Sequence, residues 1–272
     1  MENKVVFKSF SSGSCGNCYF LGVEDENRKR TGVLIDAGVG LKTLSRYFKE
    51  EGMEFDCIQA VLVTHDHNDH IRSLSSYCKK LHWPVWADAV LHKAMSRHVL
   101  TCDYVPDCRH ILLPGTWNPV LEGLMDVRFF EVPHDASHTV GFAINIAGHK
   151  YVHITDCGQM TREALDFCAQ ADTVVLESNF DTDMLLNGDY PADLKKRILN
   201  GHGHLSNADC AAAIEEFAHD GLKNLFLCHL SEHNNTPMLA YDSAKKALNN
   251  SKMTNVRLMA LPRQTPSPMI IL

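Results

Sequence analysis

A short apolar run, Ala60-Val61-Leu62-Val63, leads straight into Thr64-His65-Asp66-His67-Asn68-Asp69-His70. The run has the length of a buried strand, and the polar cluster after it cannot enter a core unless its groups are paired or hold a metal. The cluster therefore belongs at a strand terminus, held on one side and open on the other. Histidine together with aspartate suits Zn²⁺, Mn²⁺ or Fe²⁺ better than Ca²⁺ or Mg²⁺, which prefer all-oxygen shells. Four candidate ligands, His65, His67, Asp69 and His70, cannot easily all reach one small ion. Two neighbouring ions sharing the loop are expected. The plainer alternative, a polar surface loop, fits the strand-loop-helix context less well.

The rest of the chain sets bounds around this loop. Its 272 residues are 45% hydrophobic, enough for a substantial core, and a single domain over residues 1–272 is expected. No apolar run of about 18 residues is present, so no membrane span is expected. The opening "MENKVVFKSF" lacks a long apolar signal core. Ten cysteines are scattered, mostly in apolar runs, which points to a reduced, cytoplasmic protein rather than a disulfide framework. Cys15 and Cys18 form a lone C-x-x-C, weak support for zinc or redox chemistry. A net charge of −7 excludes a protein that coats nucleic acid by bulk charge. It leaves room for an enzyme whose bound cations supply the positive field.

Periodicity predicts many strands with interspersed helices. "KVVFKSF", "CYFLGV", "RKRTGVLIDAG" as far as Asp36, and "IQAVLV" read as strands, with "SSGSCGN" a loop between the first two and Gly38 allowing a turn after Asp36. "LKTLSRYFKEEG" has helical spacing with Gly52 as its stop, and "HIRSLSSYCKKL" reads as one helix. Strands follow at "PVWA", "DVRFFEVPH", "TVGFAINIAG", "KYVHITDCG", "DTVVLESN", "KNLFLCHL" and "NVRLMAL". Helices follow at "DAVLHKAMSRHV", "TREALDFCAQA", "SNADCAAAIEEFAHDG", where Ser206 is the N-cap, and "TPMLAYDSAKKALNN". The β-rich middle argues against a simple doubly wound sheet, and two mixed sheets covered by helices fit better.

"THDHNDH" matches the H-x-H-x-D-H signature and so resembles the metallo-β-lactamase superfamily. That resemblance implies an α/β (α+β) fold, a four-layer αββα sandwich, with a two-metal site at one sheet edge. It also implies that His65 and His67 bind one metal while Asp69 and His70 face the second. Asp156 in "HITDCG" looks like the bridging carboxylate, and His229 in "LFLCHLSEHN" like the last ligand. For the middle ligand "VPHDASHTVGF" offers His134 and His138. The position of His134, seven residues before Gly141, resembles the phosphodiesterase-like branches and favours it.

Further motifs, "FSSGSCGNCYFL", "LIDAG", "ESNFDTDML", "GHGHLSNADCA" and "LCHLSEHNNTP", are similar to the YycJ/WalJ-like group from Phe7 to about Pro237. Membership implies an intracellular metal-dependent phosphodiesterase, a 5′→3′ exonuclease on duplex DNA linked to DNA repair. Two departures are Cys15, where the group more often has serine, and the second histidine of "PHDASH". His204 precedes a helix N-terminus, where an anion is favoured, and is a candidate acid for the leaving alkoxide; plain helix capping is the alternative. His202, Ser12, Ser14 and Asn17 are weaker candidates to line the site. "NRKR" and "LKKR" read as solvated turn and helix face, and Trp83 and Trp86 as core rather than base-stacking residues.

The expected chemistry is two-metal phosphodiester hydrolysis. Two ions about 3.5–4 Å apart lower the pKa of a bridging water, and the hydroxide attacks phosphorus in line. Asp69 binds the second ion and orients the nucleophile, while His204 serves the leaving group. A metallo-hydrolase of a small phosphodiester, thioester or lactam is the first alternative, because a fold does not dictate a substrate. A non-catalytic metal-binding scaffold is the second.

Overall fold

Strand β1 (Lys4–Gly13) is buried on both faces: Val5 and Phe7 enter one apolar cluster, Val6 and Phe10 another. The same division holds in β2 (Gly16–Glu24), with Tyr19 and Leu21 against Cys18 and Phe20, and in β3 (Arg30–Ile35), with Val33 and Ile35 against Leu34. A sheet apolar on both faces needs a layer on each side. A computed structural model describes residues 3–272 and supplies those layers; Met1 and Glu2 of the opening stretch lie outside the described residues.

The first half continues through α1 (Leu41–Glu50), β4 (Ile58–Leu62), α2 (Asn68–Ile71), α3 (Leu74–Leu81), β5 (Val85–Ala87), α4 (Ala89–Met95) and β6 (Arg109–Ile111). The second half runs β7 (Asn118–Leu121), β8 (Met125–Glu131), β9 (Val140–Ile146), β10 (His149–Ile154), α5 (Arg162–Cys168), β11 (Thr173–Glu177), α6 (Thr182–Asn187), α7 (Ala192–Leu199), α8 (Asn207–Phe217), β12 (Asn224–Cys228), α9 (Pro237–Asn250), β13 (Arg257–Ala260) and β14 (Ile270–Ile271). One sheet has the order β14-β1-β2-β3-β4-β5-β6 and the other β13-β12-β11-β10-β9-β8-β7. In each, a parallel block (β3 to β6; β10 to β13) adjoins an antiparallel one.

Phe7, Tyr19, Leu62, Phe142, Tyr151 and Phe226 fill the space between the sheets. Leu44, Phe48, Tyr77 and Leu91 cover the outer face of the first, and Ala164, Ile214, Phe217 and Leu248 that of the second. The result is the four-layer αββα sandwich. Among the described residues no helix is long and apolar enough to cross a membrane.

Two local expectations are corrected. "SSGSCGN" is mostly strand, because β1 and β2 stay paired as far as Gly13 and Gly16. Its small polar residues find partners beyond the hairpin: the amide of His229 donates to Ser12 Oγ at 3.0 Å. "HIRSLSSYCKKL" is two helices rather than one. The amide of Ser73 leaves the helical ladder to bond Ala37 O, and Arg72 Nε bonds Gly38 O, which interrupts the helix at Arg72–Ser73. Residues 182–187 and 192–199 form α6 and α7, whose full extent the periodicity did not reveal. Trp83 is buried edge-on to Phe55 and Tyr77, and Trp86 lies beside His110.

Candidate metal centre

The parallel blocks bring the carboxyl ends of five strands to one edge of the sandwich. Asp36 follows β3 and His65 follows β4; Asp156 follows β10, Glu177 ends β11 and His229 follows β12. Open parallel sheets place ligands at this end, where loops diverge and backbone groups are free. Asp36, Asp156 and His229 have φ values of +62°, +50° and +54°. Left-handed backbone is uncommon outside glycine, although Asp and His adopt it more often than most residues, and its clustering at three strand ends is typical of functional sites. Gly38 owes its place to close approach rather than to a positive φ: a Cβ there would lie 1.9 Å from Asp69 O and 2.4 Å from Asn17 N.

The seven candidate ligands meet at this edge. One nitrogen each from His65, His67 and His134 lies within 4.8 Å of the others. Asp69, His70 and His229 form a second such group. Asp156 stands between them, with Oδ2 3.1 Å from His70 Nε2 and Oδ1 3.6 Å from His134 Nε2. Each inner histidine is oriented through its second nitrogen. His70 Nδ1 donates to Asp36 Oδ2 at 2.7 Å, His134 Nδ1 to Gly203 O at 2.6 Å, and His65 Nδ1 lies 3.0 Å from the Thr64 hydroxyl, which itself donates to Asp36. Such outer contacts set the tautomer that leaves Nε2 free for an ion. The fit to a metal is direct at His65, whose fully buried Nε2 has no hydrogen-bond partner. An orphaned buried nitrogen is rare unless something absent completes it.

Electrostatics point the same way. Burial pulls the pKa of His70 down, but Asp36, Asp156 and Asp69 overcome it and hold it well above the usual histidine value. Burial likewise opposes charge on His229, yet Asp156, Asp69 and Glu177 raise its pKa to about 10. Burial alone would raise Asp156, but the surrounding histidines hold it well below the usual range. Buried carboxylates thus demand positive charge, which protons supply here and divalent cations would supply in their place. Burial pushes His65 and His134 the other way, keeping them neutral and ready to ligate.

His204 joins this edge, and its partner Glu177 was not singled out from the sequence. Glu177 is fully buried. Its Oε2 accepts from the amides of Cys157 and Leu205 at 2.8 and 3.1 Å. Its Oε1 accepts from His204 Nδ1 at 2.8 Å and lies 3.2 Å from His229 Nδ1. Burial works against the His204 cation, but Glu177 and Asp156 outweigh it and raise the pKa. The ring is 24% exposed and lines the cleft, so its other nitrogen faces solvent. The available signal for Glu177 was a lone acid ending the apolar strand "DTVVLE". Asp36 carried the same signal in "VLID".

The remaining candidates separate. Ser14 lines the cleft, whereas Ser12 and Asn17 are buried beneath it, Asn17 Nδ2 lying 3.1 Å from Asp69 Oδ2. His202 is exposed and outside it. Cys157 is buried, and burial pushes its thiol well above the ordinary range. All ten cysteines are unpaired.

His138 is not among the converging residues. Its Nδ1 donates at 2.9 Å to Asp88, the N-cap of α4. That hydrogen bond raises the His138 pKa. Its stabilisation is therefore complete below the unfolded value of about 6.5 and disappears as pH rises through the raised value. His138→Gln is expected to lower stability by about 1 kcal/mol near pH 5.5 and by much less at pH 9. Thermal unfolding at both pH values checks this; an equal loss at each would contradict it.

Comparison with known proteins adds to this geometry. A family model described as the beta-lactamase superfamily domain matches residues 31–229. The exodeoxyribonuclease YycJ of Bacillus anthracis is 33% identical over 242 residues, covering 89% of this chain and 88% of that protein. The exodeoxyribonuclease WalJ of Streptococcus pneumoniae is 29% identical over 235 residues, covering 86% and 85%. Zn²⁺-bound PqqB of Methylobacterium extorquens shares the fold, with a TM-score of 0.70 at 16% identity over 96% of this chain and 99% of that one.

Proposed function

This chain belongs to the beta-lactamase superfamily, within its YycJ/WalJ-like group of hydrolases, and we propose that it is a dinuclear metal-dependent phosphodiesterase that removes nucleotides from DNA, 5′→3′. The observation that carries this reading is the buried Glu177 holding His204 beside the ligand cluster. Phosphodiester cleavage in DNA expels an alkoxide, a poor leaving group that benefits from a positioned acid. The names of the two curated relatives support the same substrate class.

In this scheme His65, His67 and His134 would hold one ion and Asp69, His70 and His229 the other, with Asp156 placed between the two groups. When bound, a pair of Zn²⁺ or Mn²⁺ ions supplies a water of lowered pKa and offsets charge on the phosphoryl oxygens. The protein supplies everything else. Asp36 and Thr64 lock the orientations of His70 and His65, and Gly203 O locks His134. Glu177 keeps His204 protonated on Nδ1 and stabilises the cation, so that its outward nitrogen can deliver a proton to the departing oxygen. The positive charge required to hold a polyanion sits within the cleft, which reconciles a DNA substrate with a net charge of −7. Ten unpaired cysteines support a reducing, cytoplasmic setting.

The test is product analysis with metal-loaded protein on 5′-labelled duplex DNA, single-stranded DNA and cyclic nucleotides. Labelled mononucleotides released early from duplex ends are expected, with Asp69→Ala inactive. Preference for cyclic nucleotides, or full activity in Asp69→Ala, would overturn the reading.

A further inference from the structure

The cleft has two unlike halves. One is the ligand cluster with His204. The other is richer in apolar side chains, Phe180, Leu230, Tyr190 and two residues of α7, Leu194 and Ile198, with Arg197 and Asn234 among them. α7 is unusual among the longer helices in burying no residue: Leu194 and Ile198 are half covered, and Ala192 and Leu199 are exposed. The helix is nonetheless fastened. Arg197 donates through Nε and Nη2 to Asp135, directly after His134, and Lys195 Nζ donates to Leu186 O and Gly188 O at 2.8 and 2.7 Å. Its carboxyl end runs into Gly203, where a Cβ would lie 2.6 Å from the Ile198 backbone. An apolar surface held in place, yet open to the reaction cleft, calls for an apolar part of the substrate.

We propose that Tyr190, Leu194 and Ile198 form a pocket for the base and sugar of a strand's terminal nucleotide, and that α7 behind them blocks the strand from continuing, which restricts cleavage to ends. This rests on the phosphodiesterase reading above and assigns the residues that would make such an enzyme an exonuclease. The whole cleft, ligand cluster included, offers about 250 Å³, below the range of about 300–1,000 Å³ usual for drug-sized ligands, which leaves room for a single nucleotide. Tyr190, packed edge-on to His233 with ring centroids 6.1 Å apart, offers a ring for a base without selecting its identity.

Calorimetric titration of the metal-loaded protein with a deoxynucleoside monophosphate and with inorganic phosphate separates the apolar half from the ion-binding half. The wild type is expected to bind the nucleotide at least about tenfold more tightly than phosphate, the scale of one base stacked on an aromatic ring. Tyr190→Ala with Leu194→Ala should bring the ratio close to one, while Tyr190→Phe should keep it. Covalently closed circular duplex should resist the wild type. Equal binding of nucleotide and phosphate by the wild type, a ratio that survives the double substitution, or nicking of closed circles would each overturn the pocket. The nuclease reading fails separately, by absence of cleavage of any DNA, linear or circular, by protein that binds two metals; that result removes the pocket's role with it.

Discussion

Asp156→Asn is expected to lower bound metal below one ion per chain and to reduce phosphodiester hydrolysis by about a thousandfold or more. Among the described residues Asp156 is the one carboxylate within reach of both groups, 3.1 Å from His70 and 3.6 Å from His134. The substitution isolates charge from shape. Asparagine adopts left-handed backbone readily, so the φ of +50° at this position is not a new source of strain. What disappears is the negative charge that draws cations to the cluster. Loss of metal-derived transition-state stabilisation amounts to several kcal/mol, at about 1.4 kcal/mol for each tenfold in rate. Metal analysis of the purified variant, together with hydrolysis of 4-nitrophenyl phosphodiesters, checks both parts. Two tightly held ions with undiminished turnover would exclude Asp156 as the shared ligand.

The second large effect is expected at Glu177. In Glu177→Gln the amide oxygen can still serve the two backbone N–H groups of Cys157 and Leu205, but its NH₂ then meets His204. That reverses the hydrogen bond, because the amide donates to Nδ1 where the carboxylate accepted from it. The raised pKa of His204 loses its main support, and the alkaline limb of the pH–rate profile should move to lower pH. Turnover on DNA should fall about a hundred- to ten-thousandfold, the usual range for a positioned acid. A 4-nitrophenolate leaving group needs no proton, so that substrate should lose about tenfold or less. Equal losses on both substrates would assign Glu177 to the scaffold or to metal binding rather than to His204. Glu177→Ala should also unfold at a temperature lower by about 10 °C. Orphaned buried donors and an uncompensated imidazolium cost about 3–5 kcal/mol, worth about 2–4 °C each in a chain of this size.

Much of this site was legible because its residues sit in local patterns. "THDHNDH" after an apolar strand announces candidate ligands without any knowledge of the fold, and Asp156 and His229 each follow an apolar run. The helix cap Ser206 was readable for the same reason, since its side chain is satisfied by an amide three residues away, that of Asp209. "SSGSCGN" was misread because its small polar residues favour turns, whereas β1 and β2 stay paired as far as Gly13 and Gly16 and the Ser12 hydroxyl is used by the His229 amide, more than two hundred residues away. The break between α2 and α3 has the same origin, in a bond to Ala37.

What the sequence by itself determined is the chemistry on offer: a histidine- and aspartate-rich edge, strands apolar on both faces, and a charge balance that leaves cation binding to the cleft. Only the tertiary structure decided which residues meet. It separated His134 from His138, four residues apart, by giving one a carbonyl beside the cluster and the other the N-cap carboxylate of α4. It also turned Glu177 from an ordinary strand-end acid into a buried carboxylate with four donors around it. The physical reason is that a ligand set is a property of converging strand ends. Periodicity reports which face a side chain takes, but only the pairing of β10, β11 and β12 side by side puts three such ends within one hydrogen-bond network.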